Sequence, residues 1–217
     1  NGSWTTPDIY ALFVAYWRRF GMETPGYGMA HRAIFSIPGF GDVLRKFGAL
    51  YASKDNARTA LEAGYPLLVC PGGDVDSLKP FSRRHEITFG KRRGFIRLAI
   101  EQQVPIVPVV SVGAHETMFI LNDGTRFAER NRIARYFRLK SVPWALCFPW
   151  GLVPGGVFAL PLPSKVVVRV LEPIELDVPR EGAEDPEIVE ACFELVRATM
   201  QRELTDLASR RRFPVLG

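Results

Sequence analysis

The chain has 217 residues and a mass of 24.4 kDa, with 47% hydrophobic and 24% charged residues. That excludes a disordered or collagen-like protein and suits one domain with a substantial core. The 28 Lys and Arg exceed the 23 Asp and Glu, giving +5 and a pI of about 9.3, which favours an anionic partner: a phosphate-bearing substrate, a lipid surface or a nucleic acid.

Asp8 to Phe20 carries Ile9, Leu12, Phe13, Tyr16, Trp17 and Phe20 at helical spacing, the pattern of an amphipathic helix that Gly21 to Gly28 interrupts. Phe47 to Ala52 is a short predicted strand. Ser53 suits an N-cap for a helix over Lys54–Ala63, with Ala57, Ala60 and Leu61 inward and Gly64 as its stop. Pro66 to Cys70 is an apolar run expected as a buried strand, turned by Pro71-Gly72-Gly73. A helix over Gly94–Gln103 buries Phe95, Leu98 and Ala99. Pro105–Val112 and Lys165–Leu171 are two further strands. Pro186–Ala208 is a long helix with apolar residues at 188, 192, 195, 196, 200, 204 and 207. This order predicts a single α/β domain, a mostly parallel central sheet flanked by helices with right-handed crossovers.

Cys70, Cys147 and Cys192 lie far apart with no CxxC or Cys/His ligand spacing. Neither a metal site nor a disulfide framework is expected, and a reducing compartment fits. Ser141 to Ser164 is uncharged and rich in Trp and Phe, yet prolines at 143, 149, 154, 161 and 163 argue against a spanning helix. It reads either as an irregular buried loop or as a surface resting in a membrane interface. The charge is clustered. Residues 83–97 and 126–140 are each net +5, residues 172–194 are net −8, and Arg210-Arg211-Arg212 follow. Such runs are solvated helix faces or contacts to anionic lipid and phosphate.

A GxSxG elbow, a Walker A loop and a GxGxxG fingerprint are all absent; Val110-Ser111-Val112-Gly113 is half of the first. What remains is a set of turns at the carboxyl ends of predicted strands, where α/β proteins bind ligands. Gly72 and Gly73 allow close backbone approach to a substrate oxygen or phosphate, and Asp76 suits a hydroxyl or a cation. Lys91, Arg92 and Arg93 precede a helix N-terminus, an arrangement for an anion. Val104–Val112 ends in Gly113-Ala114-His115-Glu116.

Together Pro71-Gly72-Gly73-x-x-Asp76, Gly90-Lys91-Arg92-Arg93-Gly94-Phe95-x-x-Leu98-Ala99, Val104-Pro105-Ile106-Val107-Pro108-Val109 and Gly113-Ala114-His115-Glu116 resemble the glycerolipid acyltransferase superfamily. The likeness is to the branch of the lysophospholipid acyltransferases and diacylglycerol acyltransferase-like proteins. It covers nearly the whole chain, residues 64–116 above all, and implies a glycerol-3-phosphate acyltransferase-like fold over residues 1–217.

The resemblance implies transfer of a fatty acyl group from acyl-CoA or acyl-carrier protein to a glycerolipid or lysophospholipid hydroxyl. A His would act as general base and an Asp shortly after it would orient the ring. Asp8 matches that Asp. No His lies within residues 1–8, and the chain opens on Asn1 without Met, so the expectation is a chain cut within this first motif, with the His just before Asn1. Gly72, Gly73, Asp76, Lys91, Arg92, Arg93, His115 and Glu116 are the implied substrate-binding set. Two departures stand out: the usual Pro-Glu-Gly turn is Pro-Gly-Gly, with acid displaced to Asp74 or Asp76, and the second-motif Arg has only Lys54 or Arg58 nearby.

Among the histidines, His31 lacks an acid at the needed spacing, and His85 sits among arginines as a loop residue or a phosphate contact. His115 with Asp123 mimics a His–Asp pair but by resemblance belongs to the Gly-x-x-Glu turn. No cofactor beyond the acyl co-substrate is implied. The expected partners are a lipid acceptor, an acyl thioester donor and a membrane surface on its cytoplasmic side, reached peripherally or through a segment outside this chain. A non-catalytic lipid-binding protein of the same fold is the alternative. Nucleic-acid binding rests on basic charge alone, and no motif supports it.

Overall fold

The computed structural model describes residues 6–31, 35, 39–122, 124, 143–154, 160–211 and 213. In chain order its helices are α1 (Pro7–Phe20), α2 (Phe40–Lys46), α3 (Lys54–Glu62), α4 (Gly73–Ser77), α5 (Gly94–Gln102) and α6 (Pro186–Ser209). The strands are β1 (Tyr27–Ala30), β2 (Ala49–Tyr51), β3 (Leu67–Leu68), β4 (Val109–Val112), β5 (Phe119–Ile120), β6 (Trp144–Cys147), β7 (Gly151–Pro154) and β8 (Val167–Val170).

Helix ends follow local chemistry. The Ser53 hydroxyl accepts from Asn56 N at 3.2 Å and starts α3. Asp185 accepts from Glu187 N at 2.8 Å and, with Pro186 at the first helical position, starts α6. Helix α5 packs on α6: Ile96 and Ile100 meet Val189, Cys192, Phe193 and Val196, with Phe89 beside them. Farther along α6, Leu204 and Leu207 cover Val110 and Val112 of β4. On α5 the fully buried side chains are Ile96 and Ile100, while Phe95 and Leu98 are half-buried. On α6 Val189 and Phe193 face in, and Leu195 is exposed.

The mixed α/β architecture is as expected, and the parallel pairing has a definite extent. β1 lies between β2 and β3 and runs parallel to both. β4 pairs antiparallel with β8, and β5, β6 and β7 form an antiparallel meander. A parallel neighbour needs a crossover, usually helical. β8 instead runs back along β4 in the opposite sense, with Val109 opposite Val170 and Val112 opposite Val167. The predicted strand over 105–112 is shortened because Pro105 and Pro108 lack ladder donors. Only a bridge from Ile106 to Ile174 precedes Val109. β1 and α2 carry no clear apolar period and were not expected from the sequence.

Where it is described, the uncharged segment is in part a strand hairpin and holds no spanning helix. Residues 144–154 are the β6–β7 hairpin; 141–142 and 155–159 lie outside the described residues, as do the basic segment's residues 126–140, Asp123 and Arg212. Among the described residues no helix is long and apolar enough to cross a membrane.

Candidate active site

Helix α1 positions Asp8. Thr6 takes a left-handed conformation at φ 42°, ψ 46°, and Pro7 opens the helix behind it. That conformation costs a non-glycine residue about 1–2 kcal/mol and bends the chain into its first turn. Phe13 lies over Gly28 of β1, 3.5 Å from where a Cβ would stand, which seats α1 on the parallel sheet. Asp8 is the buried member of the helix at 5% exposure, and its Oδ2 accepts from Ser111 Oγ at 2.8 Å. Ser111 is on β4. The carboxylate of the first turn is thereby fixed to a strand more than a hundred residues away in the chain.

Cys70, at the end of β3, reports what surrounds this point. Burial raises its thiol pKa, and the nearby carboxylates of Asp8 and Asp76 raise it further. Asp8 and the acid after the Pro-Gly-Gly turn thus both act electrostatically on the same thiol. The turn itself is tight. A Cβ on Gly72 would collide with Asp76 and stand 2.7 Å from the Thr88 carbonyl, so only glycine fits. Gly73 has φ 50°, and its N–H donates to the Cys70 carbonyl at 3.1 Å. These glycines serve the packing of the turn.

Asp76 is 4% exposed and pairs with buried Lys79, whose Nζ donates to Oδ1 at 2.8 Å and also to the Glu86 carbonyl. Thr88 N donates to the same Oδ1 at 3.3 Å. Asp76 is thus held inside the fold by a cation.

The three basic residues before α5 separate into different roles. Arg92 Nη1 donates to the carbonyls of Pro71 (3.2 Å) and Gly72 (2.7 Å), bracing the turn. Arg93 makes a bidentate pair with Glu190 of α6 at 2.7 and 2.8 Å, and its guanidinium lies 3.3 Å from the Phe193 ring centroid. That pairing raises the Arg93 pKa and lowers that of Glu190. Lys91 is exposed and pairs with no acid among the described residues.

The turn after β4 is buried throughout. At Gly113, φ 95°, a Cβ would run into the Lys165 carbonyl, so this position also admits only glycine. His115 is 7% exposed, and its Nε2 has no hydrogen-bond partner among the described residues. Burial, followed by the charge of Lys79, holds its pKa down to about 2, against a hydrogen bond with the Asp76 backbone. The ring is neutral. Glu116, 1% exposed, is clasped: Arg211 Nη1 donates to Oε2 at 2.7 Å, Arg84 Nε lies 3.5 Å from Oε1, and Ser164 Oγ lies 3.5 Å from Oε2.

The structure therefore gathers Asp8, Gly72, Gly73, Asp76, His115 and Glu116 at the carboxyl ends of β3 and β4, with Arg92 beneath the turn. Arg93 faces away onto α6. Sequence reasoning missed Ser111, Lys79, Arg84 and Arg211 as partners of the three buried carboxylates. The elbow-like Val110-Ser111-Val112-Gly113 was the one available hint for Ser111; the others carry no local signal.

Known proteins with related sequences place the chain in a family. The family model described as diacylglycerol acyltransferase matches residues 27–189. An uncharacterised protein of Mycobacterium tuberculosis is 31% identical over 185 residues, which is 85% of this chain and 49% of that protein. Diacylglycerol O-acyltransferase 2 of Dictyostelium discoideum is 28% identical over 77% of this chain and 51% of its own length. A human protein named DGAT1/2-independent enzyme synthesizing storage lipids is 29% identical over 80% and 47%. The chain spans about half the length of these relatives. In fold it is similar to the 1-acyl-sn-glycerophosphate acyltransferase PlsC of Thermotoga maritima, with a TM-score of 0.52 and 17% identity over 87% of this chain and 59% of that one. With three quarters of its length matched to one family, the chain belongs to the diacylglycerol acyltransferase family.

Proposed function

We propose that this chain is the acyl-transfer core of a membrane-associated O-acyltransferase that moves a fatty acyl group from an acyl thioester to a glycerolipid or lysophospholipid hydroxyl. The observation that carries the reading is Asp8: a buried carboxylate at the start of α1, fixed by Ser111 beside the turns that follow β3 and β4. In this reading a histidine general base takes the acceptor hydroxyl's proton as its oxygen attacks the thioester carbonyl, and Asp8, buried and held by Ser111, is the carboxylate suited to fix such a ring's tautomer and stabilise its charged form. The thiolate of the carrier leaves and takes up the proton. The donor is acyl-CoA or an acyl-carrier protein, and Lys91 is the exposed cation available for a phosphate of donor or acceptor.

The β6–β7 hairpin supports a membrane site; the cytoplasmic side is part of the proposal. Ala145 and Val153, paired in register, face the core, so Leu146 and Leu152 face out. With Phe148 and Trp150 they are half to nearly two thirds exposed. An antiparallel sheet normally turns polar residues to water on its outer face. A contiguous apolar patch there suits a lipid interface.

The test uses the full-length protein with labelled oleoyl-CoA and oleoyl-carrier protein, and a panel of lysophospholipids, mono- and diacylglycerols. Transfer to at least one acceptor is expected, with Asp8→Asn lowering the rate about 10²–10⁴-fold, the range for losing general-base catalysis. Binding of these lipids with no transfer would replace the proposal by a non-catalytic lipid-binding role.

A further inference from the structure

A cleft of about 330 Å³ opens beside the carboxyl end of α6. Val112, Val167, Leu207 and Phe213 supply apolar walls, and Lys165, Arg210 and Arg211 supply the cations. It is separate from the surroundings of Asp8. Successive side chains of a strand point to opposite faces. Ser111 of β4 turns to Asp8, whereas Val112 turns to Leu207 of α6. The cleft and the catalytic carboxylate thus lie on opposite sides of the β4–β8 ribbon.

We infer that this cleft binds an anionic single-chain amphiphile, an alkyl chain ending in a carboxylate or a phosphate. The walls call for hydrocarbon and the rim for negative charge. Arg210 leans on Asp206 at 3.0 Å, and Arg211 is held by Glu116. Lys165 pairs with no acid among the described residues and remains to meet an incoming anion. The volume lies at the small end of ligand pockets, roughly 300–1,000 Å³, and suits one chain rather than two.

The rim is also preorganised, which lowers the ordering cost of binding. The Lys165 carbonyl packs against Gly113, Ser164 Oγ donates to the Gly113 carbonyl at 2.9 Å, and Arg211 is buried against Glu116. The cleft is independent of whether the chain transfers acyl groups.

Displacement of a fluorescent fatty acid from the intact protein tests the inference, with oleate, 1-oleoyl-lysophosphatidate, oleyl alcohol and inorganic phosphate as competitors. A photoactivatable fatty acid then maps the contact. Oleate or the lysophosphatidate should compete at least tenfold better than the alcohol or phosphate, and whichever is stronger identifies the head group. Label should fall on the peptides of β8 and the end of α6. Lys165→Glu and Phe213→Asp, both at exposed positions, should each weaken binding about tenfold, while Asp42→Asn on α2 leaves it unchanged. Equal competition by oleyl alcohol or by phosphate, label confined to residues 144–154, or indifference to Lys165→Glu would each overturn the assignment.

Discussion

At the carboxyl ends of β3 and β4 the chain buries charge; at the β6–β7 hairpin it exposes hydrocarbon. Both arrangements work against folding in water. Each buried ion carries a desolvation cost of several kcal/mol unless well paired, and the first region answers it with specific partners: Lys79 for Asp76, Arg84 and Arg211 for Glu116. In the hairpin Leu146, Phe148, Trp150 and Leu152 stay on the surface. Charge inside can be satisfied by the protein itself, whereas an apolar outer face is satisfied only by something outside it. The strand ends therefore depend on internal contacts, and the hairpin depends on its surroundings.

The largest effect expected is on Glu116. Glu116→Gln keeps the shape and leaves the half-buried Arg211 and Arg84 facing a buried neutral amide. Removing one member of a buried ion pair costs about 3–5 kcal/mol. Urea unfolding should show that loss as a lower midpoint at constant slope. As a control, Asp42→Asn removes an exposed pair with Arg45 and should cost no more than about 1 kcal/mol. Equal losses for the two would erase the distinction between an ionic interior and an ordinary surface.

His115 gives the next effect, through pH. Its native pKa is held down to about 2 and its ordinary value is 6.5. Between those values the unfolded chain takes up a proton that the native ring refuses. The contribution of His115 is complete above about pH 6.5 and is lost as pH falls below it, by roughly 1.4 kcal/mol per pH unit. Burial also lowers the His85 pKa, adding a slope of the same sign. His115→Gln should flatten the stability profile between pH 6.5 and 4.5, with the residual slope from His85. Unchanged slopes in the variant would mean that the imidazole is not sealed in the native fold.

The contrast also explains what was legible in the sequence. The cap at Ser53, the glycine turns and the long period of α6 are local signals, and they mark the true elements within a residue or two. Asp8, Asp76 and Glu116 were singled out by motif order, and the structure buries all three. Their partners were missed, because Ser111 is 103 residues from Asp8 and Arg211 is 95 residues from Glu116. Arg93 shows the converse error of emphasis. A basic run before a helix reads as an anion site, and in the structure its last member is taken by Glu190 and Phe193 of α6. The strands after β4 depended on pairing partners that apolar runs do not specify, hence the antiparallel ribbons.

The hairpin should show the smallest change in stability and a clear change in location. Phe148→Ser combined with Trp150→Ser alters two side chains that are 61% and 63% exposed. Exposed substitutions of this kind usually stay within about 0.5 kcal/mol each. If the same side chains enter lipid, each removes up to about 1.5–3 kcal/mol of apolar transfer. Flotation with vesicles of phosphatidylcholine and phosphatidylglycerol should then fall by at least tenfold, with the urea midpoint almost unmoved. A large loss of stability with vesicle binding intact would reverse the comparison, making the hairpin a packed element of the fold and leaving the membrane to be met elsewhere.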